Sequence, residues 1–244
     1  MAKKILRILG FFAVGMIGGI FAEQVLWPYF VERPFFEKYG LSQPPVYVTE
    51  KKEVIVQENV ALENAIEKVQ NMVIGVRTLY QDKSGTGQAK TLEGSGLVIT
   101  SDGIIVTLSE LVPKGFSFYF YVEGKAVSYQ ILKRDAKLNL VLIKVDKNNL
   151  PTASFADMDK IKLGERVFLV GNVFSSSTPE IIVDEGIIKS FGVNYIKTNI
   201  VKTEGLSGSV LFDIEGNTIG LNTIDASGEM VAIPISTIKQ FTGF

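Results

Sequence analysis

Hydrophobic and polar positions divide this chain into three regimes. Ile8 to Ala22 is a run of 15 uncharged residues, and Ile5 and Leu6 extend it to 18 positions interrupted only by Arg7. At 1.5 Å per residue an 18-residue helix spans about 27 Å, close to a hydrocarbon core when Arg7 snorkels. A mixed stretch follows, in which VYVTEKKEVIVQ (46–57) alternates in places and reads as strand-like. Asn59 is positioned to cap a helix with Leu62, Ile66, Val69 and Val73 on its apolar face, at spacings of four, three and four. Beyond it the chain is a succession of short β-rich runs: VIGVRTLY, GLVIT, IIVTL, FYFYV, VSYQIL, LVLIKV, RVFLVG, EIIVDEGII, SVLFDI and TIGLNT. Turn signals such as Asp102-Gly103, Glu123-Gly124, Glu215-Gly216 and Ser227-Gly228 separate several of them. Many short strands without alternating helices predict an antiparallel sandwich or barrel, and about 185 residues suit two small barrels better than one.

Three segments are therefore expected: residues 1–22 as a transmembrane anchor or signal peptide, 23–57 as a juxtamembrane linker with a strand-like extension, and 58–244 as the β-rich domain. Lys3, Lys4 and Arg7 flank the apolar run, an arrangement that keeps the N-terminus cytoplasmic and sends the domain outside. A cleaved signal peptide ending at Ala22 is the rival reading, although Ile20 fits the small-x-small pattern poorly. Trp27, Tyr29, Phe30, Phe35 and Phe36 form an aromatic cluster suited to a membrane interface and favour the uncleaved anchor.

Composition narrows the chemistry sharply. The chain has no cysteine and no histidine. It thus has no disulfide, thiolate nucleophile or Cys-ligated metal, and no imidazole base for a Ser-His-Asp triad. No calcium-loop pattern is present, and neither cofactor nor metal is expected. A net charge of −1 argues against a nucleic-acid surface. SGTGQAKT (84–91) faintly resembles a phosphate loop, but it lacks the glycine before lysine and a strand–loop–helix setting, and reads as a hairpin tip.

Three segments together resemble the HtrA-type trypsin-like serine proteases. GSGLVITSDGIIVTLSELV (94–112) is similar to the family stretch that delivers the catalytic histidine. RDAKLNLVLIK (134–144) is similar to the segment bearing the orienting aspartate, and TNIVKTEGLSGSVLFDIEGNTIGLNT (198–223) to the one around the nucleophilic serine. The resemblance covers about residues 58 to 244 and ends where the family's protease domain ends, with no PDZ-like segment following. It implies an all-β fold of two six-stranded antiparallel barrels with the active site between them. Motif for motif, Ser207 takes the nucleophile position, Glu110 the histidine position and Asn139 the aspartate position, with Gly205 and Ser207 supplying the oxyanion-hole N–H groups. The Gly-Pro that follows the family's Ser-Gly is replaced by Ser209-Val210.

Those replacements weaken acid–base chemistry. A glutamate is about two pK units less basic than imidazole, roughly 3 kcal/mol of proton-transfer driving force. In a trypsin-like triad, changing the aspartate to asparagine alone costs about 10⁴ in rate. A static arrangement is expected instead, with the Asn139 amide and the Ser207 hydroxyl both donating to the Glu110 carboxylate. The leading expectation is a membrane-anchored extracytoplasmic pseudoprotease that binds peptide or unfolded envelope protein in the inter-barrel cleft. The alternative is an active serine endopeptidase using Ser207 with Glu110 as an unusual base; a Ser207–Lys202 dyad is a weaker variant. By analogy with the family, the domain is a candidate homotrimer, with residues 46–57 pairing across subunits.

Overall fold

The computed structural model describes residues 2–26, 50–80, 90–175 and 178–243. The aromatic cluster, the Pro44-Pro45 pair, most of the 84–91 tip and the Ser176-Ser177 pair lie outside the described residues. The chain forms two compact units, residues 1–55 and 56–244.

In the first unit, helix α1 (Ala2–Phe21) continues through a π-helical turn, Ala22–Leu26. The segment Lys3–Leu26 has a mean hydropathy of 2.1 and buries none of its side chains in the protein. By length and composition it is sufficient to cross a membrane. The helix therefore runs past Ala22, where the anchor was expected to end.

Helix α2 (Glu50–Val69) corrects the reading of residues 46–57 as strand-like: its described part, from Glu50, is helical. The sequence EKKEVIVQENVALENAIEKV is rich in Glu, Lys, Ala and Gln, and these helix formers outweigh the short VIV run. Asn59 consequently lies inside the helix and does not cap it. Downstream, Ala65 and Val69 are buried and Leu62 and Ile66 pack against the same core, while Val73 has left the helix to open the first strand.

The second unit is all-β with a closing helix. One sheet contains β1 (Val73–Tyr80), β2 (Lys90–Val98), β3 (Ile104–Leu108), β4 (Ser117–Val122), β5 (Lys125–Val127), β6 (Tyr129–Asp135) and β7 (Leu140–Val145). Its spatial order is β5-β4-β1-β2-β3-β7-β6. The other contains β8 (Ser154–Phe155), β9 (Arg166–Val173), β10 (Glu180–Phe191), β11 (Ile196–Thr198), β12 (Val210–Asp213), β13 (Asn217–Ile224) and β14 (Met230–Pro234). There β12 pairs with both β9 and β13, closing a six-stranded antiparallel barrel, and β8 adds a short parallel pairing to β13.

The expectation of two closed barrels thus holds for the second sheet, while the first is a half-barrel. Its end strands β5 and β6 are consecutive and separated only by Ser128. One residue cannot reverse the chain into a hairpin, so no ladder joins them among the described residues.

Strand β9 explains how the two halves share a core. Val167 and Leu169 belong to the barrel interior, with Ile188, Ile196, Leu211 and Ile219. Phe168 and Val170 point the other way, into the cluster that holds the first sheet's Leu97, Val106, Phe120 and Ile143. Both faces are therefore apolar, which is why RVFLVG reads as a continuous run without alternation. Phe168 stacks on Phe212 with centroids 5.5 Å apart, and each fully buried aromatic contributes about 1.5–3 kcal/mol. Helix α3 (Ile235–Thr242) seals this core with Ile235, Ile238 and Phe241. Lys133 ties it to the first sheet, donating to the Phe241 carbonyl at 2.7 Å.

Candidate active site

The Ser207 loop runs between β11 and β12 and folds onto β2. Ser95 N–H donates to the Ser207 carbonyl at 3.0 Å. That approach requires glycine on either side of the contact. A Cβ at Gly94 would lie 2.2 Å from the Ser207 carbonyl oxygen, and one at Gly208 would lie 2.2 Å from that of Ser95. Gly205 and Gly208 also take left-handed φ of +83° and +77°, which a side chain would strain.

Ser95 is the joint between the two sheets. Its Oγ accepts the Asn172 N–H at 2.7 Å, and its carbonyl accepts Thr107 Oγ1 at 2.6 Å. Asn172 reaches back to the Val73 carbonyl at 3.2 Å. Strands β1, β2, β3 and β9 are thereby pinned around the site by buried hydrogen bonds.

Ser209, expected from the resemblance to replace a motif glycine, does not disrupt the loop. Its buried Oγ donates to the Leu206 carbonyl at 2.7 Å and accepts Asn222 Nδ2 at 3.0 Å. Backbone bonds from Gly208 N to Asn222 O (2.7 Å) and from Asn222 N to Ser209 O (2.8 Å) complete the brace. Among the described residues, the N–H groups of Gly205 and Ser207 make no hydrogen bond.

Glu110 lies on the single turn Ser109–Leu111, where burial of Leu111 turns the glutamate outward. Glu110, Gly205 and Ser207 line one open cavity of about 580 Å³, together with Glu93 and Glu204. Glu93 is paired with Arg77 at 3.2 Å. Asn139 is not part of that lining; it takes a left-handed conformation, φ 55°, at the end of a turn in which Asp135 Oδ1 accepts the N–H groups of Lys137 and Leu138.

The expected polar cluster forms differently. Asn139 Oδ1 accepts the backbone N–H of Glu110 at 3.0 Å, and its Nδ2 donates to Thr223 Oγ1 at 3.1 Å. Ser109 N–H donates to the Asn139 carbonyl at 2.9 Å. The asparagine thus secures the backbone of the Glu110 turn, and among the described residues neither it nor Ser207 bonds the Glu110 carboxylate. The physical reason is the turn itself, which presents its N–H to Asn139 and its side chain to solvent. Arg134 supports the same turn, donating from Nη1 to Ser109 Oγ at 3.0 Å; partial burial pulls its guanidinium below the ordinary range.

Lys202 Nζ donates to the Gly228 carbonyl at 3.3 Å, and the residue lines a different cavity from Ser207, so the dyad alternative finds no support in this arrangement. Among the described residues, no three metal-ligating side chains gather closely enough to hold an ion. The residues missed by sequence reasoning are Ser95, Asn172, Asn222 and Thr223. Ser95 alone carried a signal, its position between the two glycines of GSG.

Comparison with known families gives a match to the trypsin-like peptidase domain over residues 94–221, more than half of the chain. The chain belongs to the trypsin-like peptidase family. Its relatives in that family are of the HtrA type expected from the three motif segments. It is 28% identical over 196 residues to serine protease HTR4 of Bos taurus, covering 73% of this chain and 40% of that protein. It is 31% identical over 164 residues to a probable periplasmic serine endoprotease, DegP-like, of Rhizobium meliloti, covering 61% of this chain and 32% of the relative. The chain therefore spans well under half the length of either. A solved structure of the HtrA-type protease AlgW with a decapeptide shares the fold, with a TM-score of 0.62 at 24% identity over 75% of this chain and 66% of that one. The whole sequence contains no histidine.

Proposed function

We propose that this chain is a membrane-anchored, extracytoplasmic member of the HtrA-type group that has lost proteolysis and binds peptide or unfolded protein in the cleft beside Ser207. The observation that carries the reading is the composition of the site. Ser207 and Glu110, which the resemblance assigns to the nucleophile and histidine positions, line one cleft, and Asn139, assigned to the aspartate position, is occupied in holding backbone. Without a positioned base the serine hydroxyl stays protonated, and free oxyanion-type N–H groups alone provide a place for a carbonyl but no proton transfer.

Binding, by contrast, asks only for the cleft and its backbone donors. The DegP-like relatives are described as probable periplasmic endoproteases, and the AlgW structure carries a decapeptide, which supports a peptide ligand for this fold. The Lys3–Leu26 helix and its basic flank support the anchor and the outward orientation of the domain.

The test uses the full chain in detergent micelles, incubated with an unfolded fluorescent protein substrate. The unmodified chain, Ser207→Ala and the double variant Glu110→His with Asn139→Asp are compared. Retention of substrate without cleavage by the first two supports the reading. Cleavage by the unmodified chain that disappears in Ser207→Ala overturns it and establishes a Ser207-dependent endopeptidase.

A further inference from the structure

A second cavity, of about 660 Å³, opens among β10, β11 and the turn after β13, and its lining includes Lys189, Lys197 and Lys202. We propose that it is a binding site for a phosphoryl dianion, either inorganic phosphate or a phosphate monoester.

The first observation is a register break. Along the β10–β11 ladder Ile188 pairs with Thr198, but the next pair is Ser190 with Lys197. Lys189 is therefore the extra residue of a β-bulge, a device that re-aims a side chain away from the regular alternation. Lys189 lines the same cavity as Lys197, its near neighbour across the ladder.

The second observation is the local charge. Of the three lysines, Lys197 takes up the local carboxylates: it pairs with Glu229 at 2.6 Å and also lies in the field of Asp225 on the same turn. Lys189 and Lys202 keep no ion-pair partner among the described residues, and this local excess of cations suits a dianion. This excess is not inherited from composition, because the chain as a whole has 25 basic and 26 acidic side chains. Among the described residues Lys189 makes no ion pair, and Lys202 spends one donor on the neutral Gly228 carbonyl, leaving two. The hydroxyls of Ser190 and Thr198 also line the cavity and are suited to donate to phosphoryl oxygens. The volume exceeds what one tetrahedral anion fills, which leaves room for the organic part of an ester.

The third observation is the contrast with the Ser207 cleft. That cavity is lined by Glu93, Glu110 and Glu204 and has no lysine or arginine in its wall, so an anion discriminates between the two. Lys202 lies five residues before Ser207 on the same connection, so an occupied pocket would brace that loop from behind. Binding there does not depend on whether Ser207 reacts.

Isothermal titration of the full chain in detergent micelles, at neutral pH and physiological salt, tests the site with inorganic phosphate and with glycerol phosphate. Saturable binding at one site, with Kd about 1 mM or tighter, is expected for at least one of them. The tighter of the two identifies the source of the phosphoryl group. Lys189→Gln with Lys202→Gln is expected to weaken it by about tenfold or more. Lys125→Gln with Lys137→Gln, at exposed positions on the first sheet, should leave it unchanged. Absence of saturable binding by the intact chain, or equal loss in both double variants, overturns the proposal.

Discussion

Asn139 holds the backbone N–H of Glu110 at 3.0 Å with its side-chain oxygen, so this side chain fixes a turn. Its other end donates to Thr223 Oγ1 on β13, spanning from the first sheet to the closed barrel. Three features depend on the one side chain: the turn, the bridge between sheets, and a left-handed φ of 55° that asparagine tolerates.

Asn139→Ala should therefore destabilise the domain by about 2 kcal/mol, combining lost hydrogen bonds with left-handed strain. Asn139→Asp keeps the acceptor for Glu110 N–H and should cost less than half as much. Urea unfolding of the two variants alongside the unmodified chain distinguishes these effects. Equal stability for Asn139→Ala would show that the turn holds without its bridge.

Gly94→Ala probes the contact between β2 and the Ser207 loop. The new methyl would meet the Ser207 carbonyl oxygen at 2.2 Å and Leu111 Cδ1 at 2.7 Å, neither with room to retreat. A loss of about 3 kcal/mol is expected, together with faster amide exchange at Ser95, whose N–H bond to Ser207 must open.

Ser209→Gly removes the side chain that braces the Ser207 loop. It should not improve the loop, because it leaves Asn222 Nδ2 buried without its acceptor. The cost is expected to be about 1–3 kcal/mol, read as a lower thermal midpoint. A gain in stability would mean that the serine brace is a burden.

The strand framework was legible because short β-rich runs between turn residues admit few alternatives, and almost every run became a strand. The helix at residues 50–57 was misread because VIV outweighed the surrounding helix formers in a local reading. The half-barrel was hidden for a different reason: closure depends on which strand ends meet, and Ser128 between β5 and β6 decides it through chain geometry. At the site, motif spacing located Ser207 and Glu110 on one cavity. It did not reveal the direction of the Asn139 hydrogen bond, because an amide can donate or accept and only the placement of the Glu110 N–H chooses. Asn172 and Asn222 were invisible for the same reason, since their partners come from strands distant in sequence.

The absence of histidine also shapes the response to pH. Histidine is the side chain that ordinarily titrates between pH 5 and 8, so stability should be nearly flat across that range. Asp102 is held below its ordinary 3.8, first by the hydrogen bond from Lys144 and then by Thr100. Asp157 is lowered chiefly by Lys160, and Asp225 chiefly by Ser227. A carboxyl lowered on folding contributes stability above its unfolded pKa and loses it as pH falls through the folded value. A thermal-midpoint profile should accordingly be level from about pH 5 to 8 and decline below about pH 4. Asp102 and Asp157 are exposed and Asp225 is half-buried at a surface turn, so their share of that decline should be small and reduced by added salt. A sharp transition near pH 6.5 would require a titrating group that the chain does not contain.

The proposed loss of proteolysis rests on the assignment of Ser207 to the nucleophile position and on the absence of histidine from the chain. Intact-mass measurement after treatment with a fluorophosphonate tests it most directly, because the reagent reports an activated serine whatever the substrate preference. No adduct is expected on the unmodified chain, and a single phosphonyl adduct is expected once Glu110→His and Asn139→Asp are introduced together. Stoichiometric labelling of the unmodified chain, abolished by Ser207→Ala, would show that the serine is activated after all.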